Sequence, residues 1–261
     1  MLGSKTAALL IAAALALLGL ASLAQAEQAQ DGNLQVAFHG NIAPLRLPRH
    51  GMAPVSVLMG GKVKTTDKST PPKLETIILD INRHGRLQAD GLPRCPLAKL
   101  NSISSNGARK ACGGALVGHG NVTSRITLPG QGTFSTNGPL LAFNGRYHGH
   151  TAIFAQVATG APLPLTYVIV FEVRKAAGKF GTSLIGTLPP IASEYGYISA
   201  FDLALSRRYS SHGEKLSYAS AGCPAPNGFS EATFPFARAS YIFADGRKLS
   251  SVLNRQCKVR G

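Results

Sequence analysis

Apolar and polar residues alternate with a period of two along most of this chain, and no other feature limits its fold as much. Successive side chains on a β-strand point to opposite faces, so a strand with one face in a core is apolar at every second position. Ile77, Leu79 and Ile81 share one face in this way. Val122, Ser124, Ile126 and Leu128 share another, with Thr123, Arg125 and Thr127 opposite. Tyr197, Phe201, Leu203 and Leu205 alternate with Ile198, Ala200, Asp202 and Ala204, which predicts a solvent-facing Asp202. Residues 165–173 are apolar on both parities, as a central strand covered on both faces would be. No sustained 3.6-residue pattern follows the first 26 residues, and 29 glycines and 16 prolines interrupt the chain too often for long helices. The pattern predicts an all-β, antiparallel β-sandwich or jelly-roll-like body.

Turn chemistry supplies candidate hairpins. Asn144-Gly145 and Asp245-Gly246 fit the two positive-φ positions of a type I′ turn. The second is expected to pair residues 239–244 with 247–253 and to set Ile242 opposite Leu249.

At the start, Lys5 precedes an apolar stretch over residues 7–23, then Ala24-Gln25-Ala26 and a polar run. A charged head, an apolar middle and an A-x-A site make a cleavable signal peptide over residues 1–26, with the cut after Ala26. The stretch also approaches the length of an uncleaved membrane anchor. The signal reading implies a secreted protein, extracellular or associated with the envelope. Residues 27–72 hold Gly60-Gly61-Lys62 and end in Pro71-Pro72, which predicts a weakly structured N-terminal segment ahead of a β-sandwich domain over 73–261.

Cys95, Cys112, Cys223 and Cys257 are even in number, which in an exported chain argues for two disulfides with three possible connectivities. Sequential pairing is favoured because it closes two local loops. A zinc site is disfavoured, since there is no C-x-x-C and no clustering of these thiols with histidines.

Lys and Arg number 27 against 12 Asp and Glu, for a formal net charge of +15. Such an excess favours anionic partners, here a cell-wall polymer or a membrane surface. Candidate contacts are Arg207, Arg208, Lys215, Arg247, Lys248, Arg255, Lys258 and Arg260, on neighbouring hairpin arms and the C-terminus. Basic and aromatic residues are not interleaved, so specific nucleic-acid binding is not expected.

Six of the seven histidines are followed by glycine. Histidine is enriched among non-glycine residues at positive φ, so most of these pairs are expected in turns. Tyr209 and Leu216 are expected to face each other across the His212-Gly213 turn. His148 and His150, two apart, would share one side of a strand and could hold Zn²⁺ or Cu²⁺ with a third ligand from elsewhere. No resident cofactor is implied.

The catalytic motifs mostly fail. Ser211-His212-Gly213 resembles the S-H-G-C core of the cell-wall L,D-transpeptidases, but Glu214 stands where the nucleophilic cysteine belongs. G-x-S-x-G and H-E-x-x-H are absent. Glu75, Asp80, Glu172 and Asp202 are the acids inside clear strand segments, where a solvent-facing role outweighs a glycosidase pair.

Gly91-Leu92-Pro93 with Cys95, Phe143-Asn144-Gly145, Phe180-Gly181-Thr182, Cys223-Pro224-Ala225-Pro226 with Gly228-Phe229, and Phe243-Ala244-Asp245-Gly246 are loop and turn words. On these, the last three quarters of the chain resembles a family of secreted actinobacterial proteins with no assigned activity. The resemblance implies export and framework cysteines, and no catalytic residues. The expected function is a secreted, non-enzymatic basic module that binds an anionic envelope polymer or surface. The alternative is a secreted hydrolase whose site forms only in three dimensions near His148 and His150.

Overall fold

The alternating stretches become strands. The computed structural model describes residues 27–160, 164–190 and 195–260, so the signal peptide expected over 1–26 lies outside the described residues. In chain order the strands are β1 (Glu27–Asp31), β2 (Leu34–Ala43), β3 (Arg46–Leu47), β4 (Ala53–Pro54), β5 (Ser56–Thr65), β6 (Leu74–Asn82) and β7 (Gly85–Leu87). A helix, α1 (Ser105–Cys112), precedes β8 (Leu116–Ile126), β9 (Phe134–Tyr147), β10 (His150–Ala158), β11 (Thr166–Lys175), β12 (Phe180–Thr187) and β13 (Gly196–Leu205). The remainder are β14 (Arg208–Ser211), β15 (Glu214–Ser217), β16 (Ala219–Ala221), β17 (Glu231–Phe243) and β18 (Lys248–Val259).

Thirteen strands form one sheet in the order β1-β2-β5-β13-β8-β9-β10-β11-β12-β6-β17-β18-β3. Its pairings are antiparallel except the last, where β3 runs parallel to the end of β18. The sheet curls until its walls face each other. Met59 of β5 and Leu79 of β6 are far apart in strand order, yet both line one apolar cavity with Val122, Ile153 and Phe171. The all-β, two-layered reading therefore holds, with both layers drawn from one sheet.

The first and last long strands meet along a seam built by side chains. Arg255 Nε donates to the Gly40 carbonyl at 2.7 Å, and Arg247 Nη1 donates to the Asp31 carbonyl and to Asn33 Oδ1. A Cβ on Gly40 would meet Leu253 Cδ2 at 3.1 Å, so a glycine keeps the two strands close.

Residues 27–65 are not weakly structured, which corrects the expected domain boundary: β1, β2 and β5 belong to the sheet, and Leu34, Val36 and Phe38 are buried in the main core. Gly60 and Gly61 act there as spacers rather than breakers. A Cβ on Gly61 would lie 2.7 Å from the Phe201 ring.

Both disulfides are sequential, Cys95–Cys112 and Cys223–Cys257. The first pins the segment carrying α1 onto the outer face of β9 and β10, where Leu100, Ala108, Phe143 and Phe154 form a second core. This helix was not expected. It is only 8 residues long, with Ala108 and Cys112 buried one turn apart and Ser104 capping its N-terminus. Val168 and Val170 pack against this second core while Tyr167 and Ile169 face inward, so β11 is central and covered on both sides.

Asn144-Gly145 is not a turn. Both residues lie inside β9, and the β9–β10 turn is His148-Gly149. Asn144 is buried, donating from Nδ2 to the Pro93 carbonyl and accepting from Cys95 N, which anchors the crossing segment. Asp245-Gly246 does close a hairpin, but only Gly246 has positive φ, and Tyr241 rather than Ile242 opposes Leu249. A bulge between Ile198 and Ala200 also reverses the expected parity of β13 at its start. Ile198 faces the same cavity as Phe201, Leu203 and Leu205, while Asp202 is exposed as expected.

One ion pair reinforces the sheet from outside. Asp80 of β6 is buried and accepts from Arg238 Nε at 2.8 Å and from Ser183 Oγ. The Arg238 guanidinium lies over the Phe180 ring, 4.8 Å from its centroid. Asp80→Ala is expected to lower stability by about 1.5–3 kcal/mol, since a charge-assisted hydrogen-bond set is lost from a covered site. Urea denaturation reads this as a lower midpoint at unchanged slope. An unchanged midpoint would mean the pair contributes nothing net.

Candidate functional site

Because antiparallel strands reverse at each connection, the connections sort into two sets at opposite ends of the sheet. One end carries the finishes of β2, β6, β9, β11, β13 and β18 and the starts of β5, β8, β10, β12 and β17. The small sheet β4-β16-β7 and the β14–β15 hairpin also sit there. Tyr209 on β14 donates to the Asp90 carbonyl at 2.9 Å, and the Tyr218 amide donates to the Arg207 carbonyl, which ties the excursion over residues 206–222 down.

This end collects the positive charge. Arg46, Arg49, Arg83, Arg86, Arg94, Arg146, Arg174, Lys175, Lys179, Arg207, Arg208, Lys215, Lys258 and Arg260 lie in its connections and strand ends, against Asp90, Glu172, Glu214 and Glu231. The other end holds Lys64, Lys68, Lys73, Arg125, Arg247 and Lys248 against Asp31, Asp67, Glu75 and Asp245, which is near balance among the described residues. A net charge gathered on one pole produces a directed field rather than a diffuse one.

The expected anion contacts divide accordingly. Arg207, Arg208, Lys215, Lys258 and Arg260 share the basic end. Arg247 and Lys248 do not join them, since they open β18 at the opposite end. Arg247 is also committed to Asp245, Nε to Oδ2 at 2.7 Å. Arg255 is a seam residue: burial lowers its pKa from the ordinary guanidinium value, with Glu27 opposing, and its donors reach the Gly40 and Asn254 carbonyls. The other cations of the basic end are scattered along the sequence and meet only through the strand reversals, Arg46 and Arg49 among them in a segment that looks weakly structured from its composition.

The basic end has a built surface. Residues 44–52 pass between the 222–230 loop and the end of β18: the Lys258 amide donates to the Leu45 carbonyl, Arg260 to Leu47, and Cys223 to Pro48. Arg49 holds the 222–230 loop in shape, donating to the carbonyls of Ala225, Pro226 and Phe229. A Cβ on Gly222 would lie 2.7 Å from the Gly51 carbonyl oxygen, so only glycine lets the two loops touch. The Cys223–Cys257 disulfide ties the two sides together from beneath, with both cysteines buried in the main core.

The histidines form no comparable site. His148 is at the first positive-φ position of the β9–β10 turn, φ 46°, and His150 starts β10, so the shared strand face expected for the pair is not realised. Both are exposed, and His148 packs on Tyr147 with ring centroids 3.9 Å apart. No group of three His, Cys, Asp or Glu side chains placed to hold a metal ion occurs among the described residues. His212 also has positive φ, 50°, with Tyr209 opposite Leu216 across its turn as expected. His39-Gly40 and His119-Gly120 instead lie within strands.

One His-Asp pair was invisible in sequence. His39 Nε2 and Asp202 Oδ1 are 2.8 Å apart on the outer face, reaching over Gly60 from the strands on either side of it. A Cβ on Gly60 would lie 2.4 Å from both atoms. The pair could orient an imidazole for base chemistry, but among the described residues no serine, threonine or cysteine hydrogen-bonds the other ring nitrogen. The interior cavity is about 60 Å³, with walls entirely apolar, and such voids stay dry. Comparison with protein-family models, with curated proteins and with solved structures returns no match.

Proposed function

We propose that this chain is an exported, non-enzymatic module that binds an anionic polymer or surface with the basic end of its curled sheet. The observation that carries the reading is the sorting of cations to one end against near balance at the other. Such polarity steers a polyanion toward one pole and raises the encounter rate, more steeply at low salt. The export expected from the first 26 residues and the resemblance to secreted actinobacterial proteins are compatible with an extracellular target.

The test compares the two ends. Arg46, Arg208, Lys215 and Arg260 are exposed at the basic end, and Lys64 and Lys248 at the other. Reversing the first four to glutamate is expected to weaken retention on immobilised polyphosphate by about a thousandfold or more, at roughly 1 kcal/mol for each cation near an anionic surface. Reversing Lys64 and Lys248 should leave retention within about threefold, because exposed charges beyond a Debye length are screened. Equal loss from both sets would sink the polar reading, and no retention of the parent protein at low salt would sink polyanion binding altogether.

A further inference from the structure

The basic end also carries exposed apolar side chains. Among the described residues the large hydrophobics most open to solvent are Phe229 at 64%, Leu58 at 47%, Met52 at 44% and Leu45 at 42%. Leu58 stands on the outer face of β5, but Phe229, Met52 and Leu45 belong to the two interlocked loops of the basic end. Arg46, Lys258 and Arg260 neighbour them: Arg46 pairs with Lys258 in the β3–β18 register, and the Val259 amide donates to the Ser230 carbonyl.

We infer that the anionic partner of this end is a lipid bilayer surface, with Leu45, Met52 and Phe229 entering the headgroup region and Arg46 and Arg260 meeting lipid phosphates, while Lys258 pairs with Glu231 at 3.0 Å. The inference rests on the basic-end reading and narrows it. A soluble polyanion offers charge but no apolar phase, and would leave all three side chains in water. A bilayer of acidic lipid offers both, and interfacial binding grows with apolar area inserted together with charge attraction. The loops are also fixed before contact. The Arg49 clamp on Ala225 and Phe229 and the Cys223–Cys257 bond hold Phe229 in place, so little ordering entropy is lost on docking.

The chain contains no tryptophan, so Phe229→Trp gives a single-site fluorescence reporter in the full oxidised protein. Vesicles of phosphatidylcholine alone and of phosphatidylcholine with phosphatidylglycerol are the probes, with immobilised polyphosphate as the lipid-free control. Expected are sedimentation with the acidic vesicles only, a blue shift of Trp emission on binding, and about a tenfold loss of vesicle partition for Phe229→Ser, the worth of burying one such side chain. Polyphosphate retention of Phe229→Ser should be unchanged, and its circular dichroism and urea midpoint should match those of the parent protein. Retention on polyphosphate without vesicle binding, or vesicle binding with unshifted emission and no loss in Phe229→Ser, overturns the lipid inference and leaves the basic-end reading standing. Loss of both retention and vesicle binding in the parent protein overturns the two together.

Discussion

Replacing Cys223 and Cys257 with serine is expected to remove about 4 kcal/mol of stability, the loop-closure value for a cross-link spanning 34 residues. Both cysteines are fully buried in the main core, so two hydroxyls would be left there in place of a sulfur bridge, adding a desolvation cost. The bond links the 222–230 loop to the end of β18, and without it the loop is held by the burial of Ala225, single hydrogen bonds and the Arg49 clamp. Equilibrium urea unfolding of the double variant, with Cys95–Cys112 intact, measures the loss. A change below about 1 kcal/mol would mean that the denatured chain is already compact between these positions.

Phe154→Ala is expected to lower stability by about 3–5 kcal/mol, the usual range for emptying a fully buried aromatic site. Phe154 has no exposed surface and packs beneath α1 with Leu100, Ala108 and Phe143. Its ring also covers Gly145, where a Cβ would lie 2.2 Å from Cε2. Gly145→Ala alone should therefore cost about 1–3 kcal/mol through overpacking. In the Phe154→Ala background the same substitution should cost little, because the methyl enters vacated space. Chemical denaturation of the four-member cycle measures that coupling, and strictly additive losses would show that the backbone rather than the ring excludes a side chain at 145.

What could be read from sequence was local. Ile77 with Leu79, and Val122 with Ile126, gave their strands and their inward faces because alternation is a property of a few consecutive residues. Two local signals misled. Asn144-Gly145 has turn composition, but its asparagine is used to anchor residues 93–95 and its glycine to admit the Phe154 ring. Gly60-Gly61-Lys62 looks like a loop, but each glycine there makes room for a side chain from a neighbouring strand, His39 with Asp202 above one and Phe201 below the other.

Nothing local announces how the sheet closes, because Gly40 meets Arg255 only through the long-range order of strands. The basic end was hidden for the same reason. Arg46, Arg208 and Arg260 are remote in sequence and become neighbours in placement because each strand reversal returns the chain to the same pole. Closeness along the chain is no guide here: Lys248 and Lys258 lie on the same strand, and its 12 residues carry them to opposite poles.

The place of β13 between β5 and β8 governs the order in which this sheet can be assembled. Strands β8 to β12 pair with their sequence neighbours and can zip up as each is made. β5 can pair at once with β2, but its other edge must wait, because Leu203, the partner of Met59, comes after β8 to β12 in the chain. β6 waits as well, flanked by β12 and β17. The β1-β2-β5 unit and β6 thus emerge first and join the sheet last, and so many distant pairings place the chain among slow folders. While it waits, the open edge of β5 that will receive β13, residues 57–62, is the stretch most open to mispairing with another chain.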